Sequence, residues 1–125
     1  MNVVDSSGWL EYFGEGNNAS FFARSIQDVE NLIVPTICIY EVFKRLLTLH
    51  DKEEALQAIG VMSLGQLIDV DRQLAMNAAK ISLDLKLALA DSIILATARA
   101  NNAVLWTQDE HFKGLEGVKY IEKKS

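Results

Sequence analysis

Apolar positions along this chain fall into short runs that alternate with longer stretches at helical spacing, a pattern that predicts strands and helices in turn. Asn2-Val3-Val4 reads as a strand, followed by Asp5 and a helix presenting Trp9, Leu10, Tyr12 and Phe13. Residues 14–18 form a loop, and Asn17 or Asn18 is placed to cap a second helix reaching about Glu30, with Phe21, Phe22, Ile26 and Val29 as its apolar face. Leu32-Ile33-Val34 is a second strand. Pro35, which has no backbone donor, suits its exit, and Thr36 can cap a helix over residues 37–50. Asp51 opens a helix to about Met62, a turn at Gly65 leads into a third strand over residues 67–70, and Asp71 caps a long helix from Arg72 to about Lys86. Asp91 stands before the helical run Ser92-Ile93-Ile94-Leu95-Ala96, Asn101-Asn102 stop it, and residues 103–107 form a fourth strand. Residues 118–121 make a short fifth. Strands alternating with helices imply an α/β fold with a parallel sheet covered on both faces, here as one domain over residues 1–125.

Four acids share one address in this scheme. Asp5 leaves the first strand, Glu41 interrupts the apolar run Ile37, Ile39, Tyr40, Val42 and Phe43, Asp91 opens a helix, and Asp109 leaves the fourth strand. Right-handed crossovers bring the ends of parallel strands to one edge, where open α/β sheets bind their ligands. Two carboxylates ~4 Å apart repel by about 4 kcal/mol at an effective dielectric near 20. Four together must therefore take up protons or cations, and hard oxygen donors suit Mg²⁺ or Mn²⁺. A plainer reading competes: an Asp before a helix is favoured by roughly 1 kcal/mol as a cap, and Glu41 can pair with Arg45 one turn on. Asp69, Asp71 and Asp84 read as strand-end, cap and solvated-face residues, while Glu110 is a second candidate beside Asp109. Cys38, His50 and His111 lack zinc-ligand spacing. The histidines read as surface or structural, and Cys38 as a buried apolar thiol.

Composition narrows the function classes. No apolar run approaches the roughly 20 residues of a membrane span, and no basic segment followed by an apolar one opens the sequence, so a cytoplasmic protein is expected. The net charge is −5, and its excess lies in residues 1–43, with six acids against one base. That balance argues against tight non-specific binding to a phosphate backbone. It leaves room for an enzyme whose acids hold metal ions, since bound cations reverse the local field. Lys44, Arg45 and Arg72 are the bases available to steer a phosphate chain.

The motifs together resemble a known family. Val4-Asp5-Ser6-Ser7 with Trp9 and Phe13, Val34-Pro35-Thr36 through Glu41, Ala90-Asp91-Ser92-Ile93-Ile94 with Ala96-Thr97-Ala98, and Leu105-Trp106-Thr107-Gln108-Asp109 with Phe112 are similar, in order and spacing, to the motifs of PIN-domain nucleases, and within them of VapC-type toxins. The resemblance implies a three-layer α/β/α sandwich around a mostly parallel five-stranded sheet. It implies an acidic quartet of Asp5, Glu41, Asp91 and Asp109 holding Mg²⁺ or Mn²⁺, with Ser6 and Thr107 orienting carboxylates or water. It further implies endoribonuclease activity through a metal-activated water, a homodimer, and a small antitoxin, for which the helices between Asn18 and Met62 offer apolar faces. Two alternatives remain: a receiver-like Mg²⁺-binding signalling domain, which needs further acids and a lysine that are not found in place, and an inactive PIN-like interaction module.

Overall fold

The computed structural model describes residues 1–124. Five parallel strands, β1 (Asn2–Val4), β2 (Leu32–Pro35), β3 (Gln66–Ile68), β4 (Val104–Thr107) and β5 (Val118–Tyr120), form one sheet in the order β3-β2-β1-β4-β5. Six helices accompany them: α1 (Ser6–Phe13), α2 (Ala19–Gln27), α3 (Thr36–Leu49), α4 (Lys52–Met62), α5 (Arg72–Leu85) and α6 (Leu89–Ala100). The sheet is sandwiched between helical layers, the PIN-like α/β/α arrangement. No helix among the described residues is long and apolar enough to cross a membrane.

Strand burial explains the parallel order. Leu32, Ile33, Val34 and Pro35 are all buried, as are Val3 and Val4, because helices cover both faces and no side of these strands meets water. The two edge strands depart from this, β3 with Gln66 and Leu67 exposed and β5 with Lys119 exposed. Trp9 and Phe22 are at most 1% exposed in the same core as these strands, with Leu105, Phe112, Ile94 and Leu95; burial of each large side chain contributes about 2–3 kcal/mol. Gly8 permits the tight seat of α1. A Cβ there would stand 2.6 Å from Val4 Cγ1 and 2.7 Å from the Phe22 ring.

The strand order decides one alternative. Receiver domains have the order 2-1-3-4-5, whereas here β1 is central and flanked by β2 and β4. The direction of winding reverses between β1 and β4, and α/β folds place ligands at the strand ends beside such a reversal. Asp5 follows β1 and Asp109 follows β4.

Several boundaries differ from the periodicity. Helix α2 stops at Gln27 and a 3-10 turn, Val29–Asn31, completes the run to β2. Thr36 is the first helical residue of α3 and Pro35 is its cap, since Pro35 at φ −63° already has the fixed geometry of a helix entry. The third strand is Gln66–Ile68, earlier than expected, because Asp69 and Val70 lead to the cap Asp71, which accepts from the Leu74 amide at 2.8 Å. Asp51 likewise caps α4.

Candidate metal centre

Asp5 sits where β1 turns into α1. Its Oδ1 accepts from the Gly8 amide at 3.1 Å, the expected helix cap, and from Ser7 Oγ at 2.8 Å. Its Oδ2 accepts from Thr107 Oγ1 at 2.9 Å, a bond across 102 residues to the end of β4. The capping explanation is thus correct for Asp5, yet it accounts for only one of its oxygens. The side chain is 3% exposed. Burial pushes its carboxyl up to about 7 against the three donated hydrogen bonds, and the charge of Asp109 acts in the same direction.

Asp91 departs from the sequence expectation. It is the third residue of α6, whose cap is Ala88, and no side chain caps that helix. Freed from capping, the half-buried carboxylate lies beside His111, with Oδ2 3.4 Å from Nδ1. Burial raises its affinity for a proton, the charges of Asp109 and Glu41 add to that, and His111 opposes it. Asp109 leaves β4 through a short chain of bonds. Its amide donates to Thr107 Oγ1 at 2.9 Å, and its Oδ1 accepts from the His111 amide at 3.0 Å, opening the 3-10 turn Glu110–Phe112. Thr107 therefore ties Asp5 and Asp109 together through one hydroxyl. Of the two neighbouring acids, Asp109 is the one beside Asp91 and His111; Glu110 is exposed, and both line a cleft of about 420 Å³ with Ser7, Gln108 and Tyr120.

Glu41 is held by Ser6, whose Oγ donates to Glu41 Oε1 at 2.6 Å. The expected partner Arg45 is not used: among the described residues no Lys or Arg comes within ion-pair distance of any carboxylate, and the ion pairs that form involve only histidine. Cys38 lies beneath this group at 0% exposure. Burial pushes its thiol well above the ordinary range, and the charges of Asp5, Glu41 and Asp91 push the same way, so it is an inert floor. The four acids named from the sequence are thus brought into one electrostatic neighbourhood, with Ser6 and Thr107 bonded to two of them. Lys44 and Arg45 are exposed on α3 beyond Glu41, with the Lys44 ammonium 5.6 Å from the Tyr40 ring centre, and Arg72 is exposed at the start of α5.

The sequence reading missed His111, which it took as a surface or structural residue. Its Nδ1 is 3.3 Å from Asp109 Oδ1 as well as 3.4 Å from Asp91, and ligand atoms of Asp91, Asp109 and His111 all lie within 4.8 Å of one another. The spacing Asp109-Glu110-His111 carried the signal, because a tight turn after a strand folds the second residue back over the first. Ser7 and Gln108 were also missed. Gln108 is buried, accepts from Asn18 Nδ2 at 3.0 Å and backs the loop that carries Asp109.

Solved structures resemble this one over nearly its whole length. A toxin–antitoxin complex from Klebsiella pneumoniae superposes with a TM-score of 0.79 at 22% identity, covering 95% of this chain and 96% of that one. VapBC2 from Rickettsia felis, bound to a promoter DNA fragment, gives 0.73 at 14% identity and 97% coverage of both chains. VapC20 from Mycobacterium tuberculosis, described as a toxin cleaving the sarcin-ricin loop, gives 0.72 at 13% identity, covering 90% of this chain and 92% of that one. Comparison with curated proteins gives no match. The PIN domain profile matches residues 3–118, a span that includes every one of the four acids, the whole of β2, β3 and β4, and part of β1 and β5. With that match and this topology, the chain belongs to the PIN domain family.

Proposed function

We propose that this protein is a metal-dependent endoribonuclease, the toxin of a VapBC-type toxin–antitoxin pair, hydrolysing RNA phosphodiester bonds at Asp5, Glu41, Asp91 and Asp109. The observation that carries the reading is a chain of acids from four distant segments, in which Asp91 and Asp109 have ligand atoms within 4.8 Å of one another, the charge of Asp109 acts on the buried Asp5 and that of Glu41 on Asp91, with no Lys or Arg paired to them among the described residues. An uncompensated buried charge is expensive and is found where chemistry needs it. The donors fit a hard divalent ion. Asp91 and Asp109 would offer the first oxygens, with Asp5 and Glu41 near enough for charge to be felt among the four, and Ser6 steadies Glu41. Bound there, Mg²⁺ or Mn²⁺ supplies the Lewis acidity that makes water nucleophilic near neutral pH and offsets charge on the scissile phosphate.

The chain's own residues do the positioning. Thr107 and Ser7 fix the two oxygens of Asp5, and the Thr107 hydroxyl also sets the Asp109 backbone. Lys44 and Arg45 are the bases nearest in sequence to Glu41 and would guide the phosphate chain, with Arg72 as a further contact. A neighbour described as cleaving the sarcin-ricin loop supports RNA as substrate, and the toxin–antitoxin complexes among the neighbours support a protein partner. Exposed Leu47, Leu49, Leu56 and Val61 on α3 and α4 suit such a partner. An apolar cleft of about 450 Å³ between α5 and α6, beside Leu83 at 82% and Leu89 at 75% exposure, supports a homodimer. Acting on RNA, the protein would work in the cytoplasm.

The test is Mn²⁺-dependent cleavage of RNA by purified protein. Asp91→Asn should abolish cleavage while its thermal midpoint stays within a few degrees of wild type. Equal cleavage by the variant, or by wild type in excess chelator, overturns the assignment.

A further inference from the structure

We propose that His111 is a nitrogen ligand at the mouth of the carboxylate cluster and biases the site toward a first-row transition ion such as Mn²⁺ over Mg²⁺. The inference rests on the metal-site reading above and adds to it a residue outside the four acids. Two donors that share an ion at about 2.1 Å each stand about 3.0 Å apart in an octahedral shell and about 3.4 Å apart in a tetrahedral one. The separations of His111 Nδ1 from Asp109 Oδ1 and Asp91 Oδ2, 3.3 and 3.4 Å, match that range. They are longer than the about 2.8 Å of a charge-assisted hydrogen bond, so the imidazole pairs loosely with both acids at once and is not committed to one.

The position of the ring is built by the backbone. The imidazole side chain is 67% exposed and owes little to packing. Its amide, however, donates to Asp109 Oδ1 at 3.0 Å, and the next residue, Phe112, is 0% exposed and anchors the turn in the core. One carboxylate thus fixes both the turn and the ring above it. The other histidine is engaged elsewhere, its Nδ1 2.9 Å from Glu54 Oε2. Chemically the donor set becomes mixed. Mg²⁺ keeps its waters and oxygen ligands, whereas first-row transition ions form nitrogen bonds more readily, Mn²⁺ the least of them and so the strictest probe of the difference. A rim nitrogen therefore leaves Mg²⁺ binding to the carboxylates nearly untouched and adds affinity only for ions that accept it.

Mn²⁺ and Mg²⁺ titrations by calorimetry on wild type, His111→Ala and Asp91→Asn separate the two ideas. In His111→Ala the Mn²⁺ dissociation constant should rise at least about tenfold while that of Mg²⁺ changes less than about twofold. Mn²⁺-loaded wild type should show ¹⁴N coupling in pulsed electron paramagnetic resonance, absent from His111→Ala and kept in His50→Ala. An unchanged Mn²⁺ to Mg²⁺ ratio, equal weakening of both ions, or no ¹⁴N coupling in wild type overturns the role of His111. If those results appear while Asp91→Asn still loses both ions, the carboxylate site stands and the histidine alone is refuted. If Asp91→Asn binds both ions as wild type does, or wild type binds neither, both readings fall.

Discussion

Replacing Asp5 by asparagine should stabilise the metal-free protein at high pH and destabilise it at low pH. The folded protein holds the Asp5 proton up to about pH 7, whereas a free aspartate carboxyl releases it at 3.8. Between those values the folded state binds more protons than the unfolded chain, so stability falls as pH rises, and above pH 7 the full penalty is present. A difference of about 3 units corresponds to at most about 4 kcal/mol. Asparagine is neutral and of the same shape. Its oxygen can keep the bonds from Ser7 and Gly8, but its NH₂ faces Thr107 Oγ1, where the carboxylate accepted a bond; losing that acceptor costs about 1 kcal/mol. Asp5→Asn should therefore be more stable than wild type by about 3 kcal/mol at pH 8, a rise of about 10 °C in thermal midpoint for a chain of this size. Below about pH 4.5 it should be the less stable of the two. Thermal or urea unfolding in chelator across pH 4–8 measures this, and adding Mn²⁺ at pH 8 should stabilise wild type more than the variant. Parallel pH profiles for the two proteins would refute the reasoning.

Gly8→Ala forces a methyl group to within 2.6 Å of Val4 Cγ1 and 2.7 Å of the Phe22 ring, both 0% exposed; the overpacking should cost about 1–3 kcal/mol, and an unchanged midpoint in calorimetry would contradict it. Ser6→Ala removes the hydroxyl that holds Glu41 Oε1 at 2.6 Å; Mn²⁺ affinity should fall about tenfold with under about 1 kcal/mol lost in stability, and equal affinity by titration would show that Glu41 needs no such support.

The sheet was legible in the sequence because its strands are short apolar runs bounded by Asp5, Pro35 and Asp109, each a residue that ends a strand for a local reason. The cluster was legible because two of its acids, Asp5 and Asp109, sit at those same corners, Asp91 lies in the first turn of a helix, and Glu41 stands in an otherwise apolar segment. What pattern alone left open was whether the acids were caps or ligands, and the structure shows that Asp5 is a cap that also reaches Thr107, while Asp91 caps nothing. The resemblance to PIN nucleases had already tilted that balance, and the profile over residues 3–118 confirms the family. The histidine was lost because its placement depends on a three-residue 3-10 turn, whose register no periodicity reports. The ends of α2 and β3 shifted for a similar reason, since caps and turns, and not apolar spacing, set where an element stops.

Strand β1 lies in the middle of the sheet, and its residues Asn2, Val3 and Val4 pair with Val104, Leu105 and Trp106. On the ribosome, β1 can pair with β2 early, but its other edge waits for a strand synthesised about a hundred residues later, a separation that slows folding. Until residues 104–109 have emerged, Asp5 lacks both the Thr107 hydroxyl and the neighbouring Asp109. A nascent or truncated chain therefore carries acids but no assembled centre, so that the proposed activity would be withheld through most of translation by topology alone.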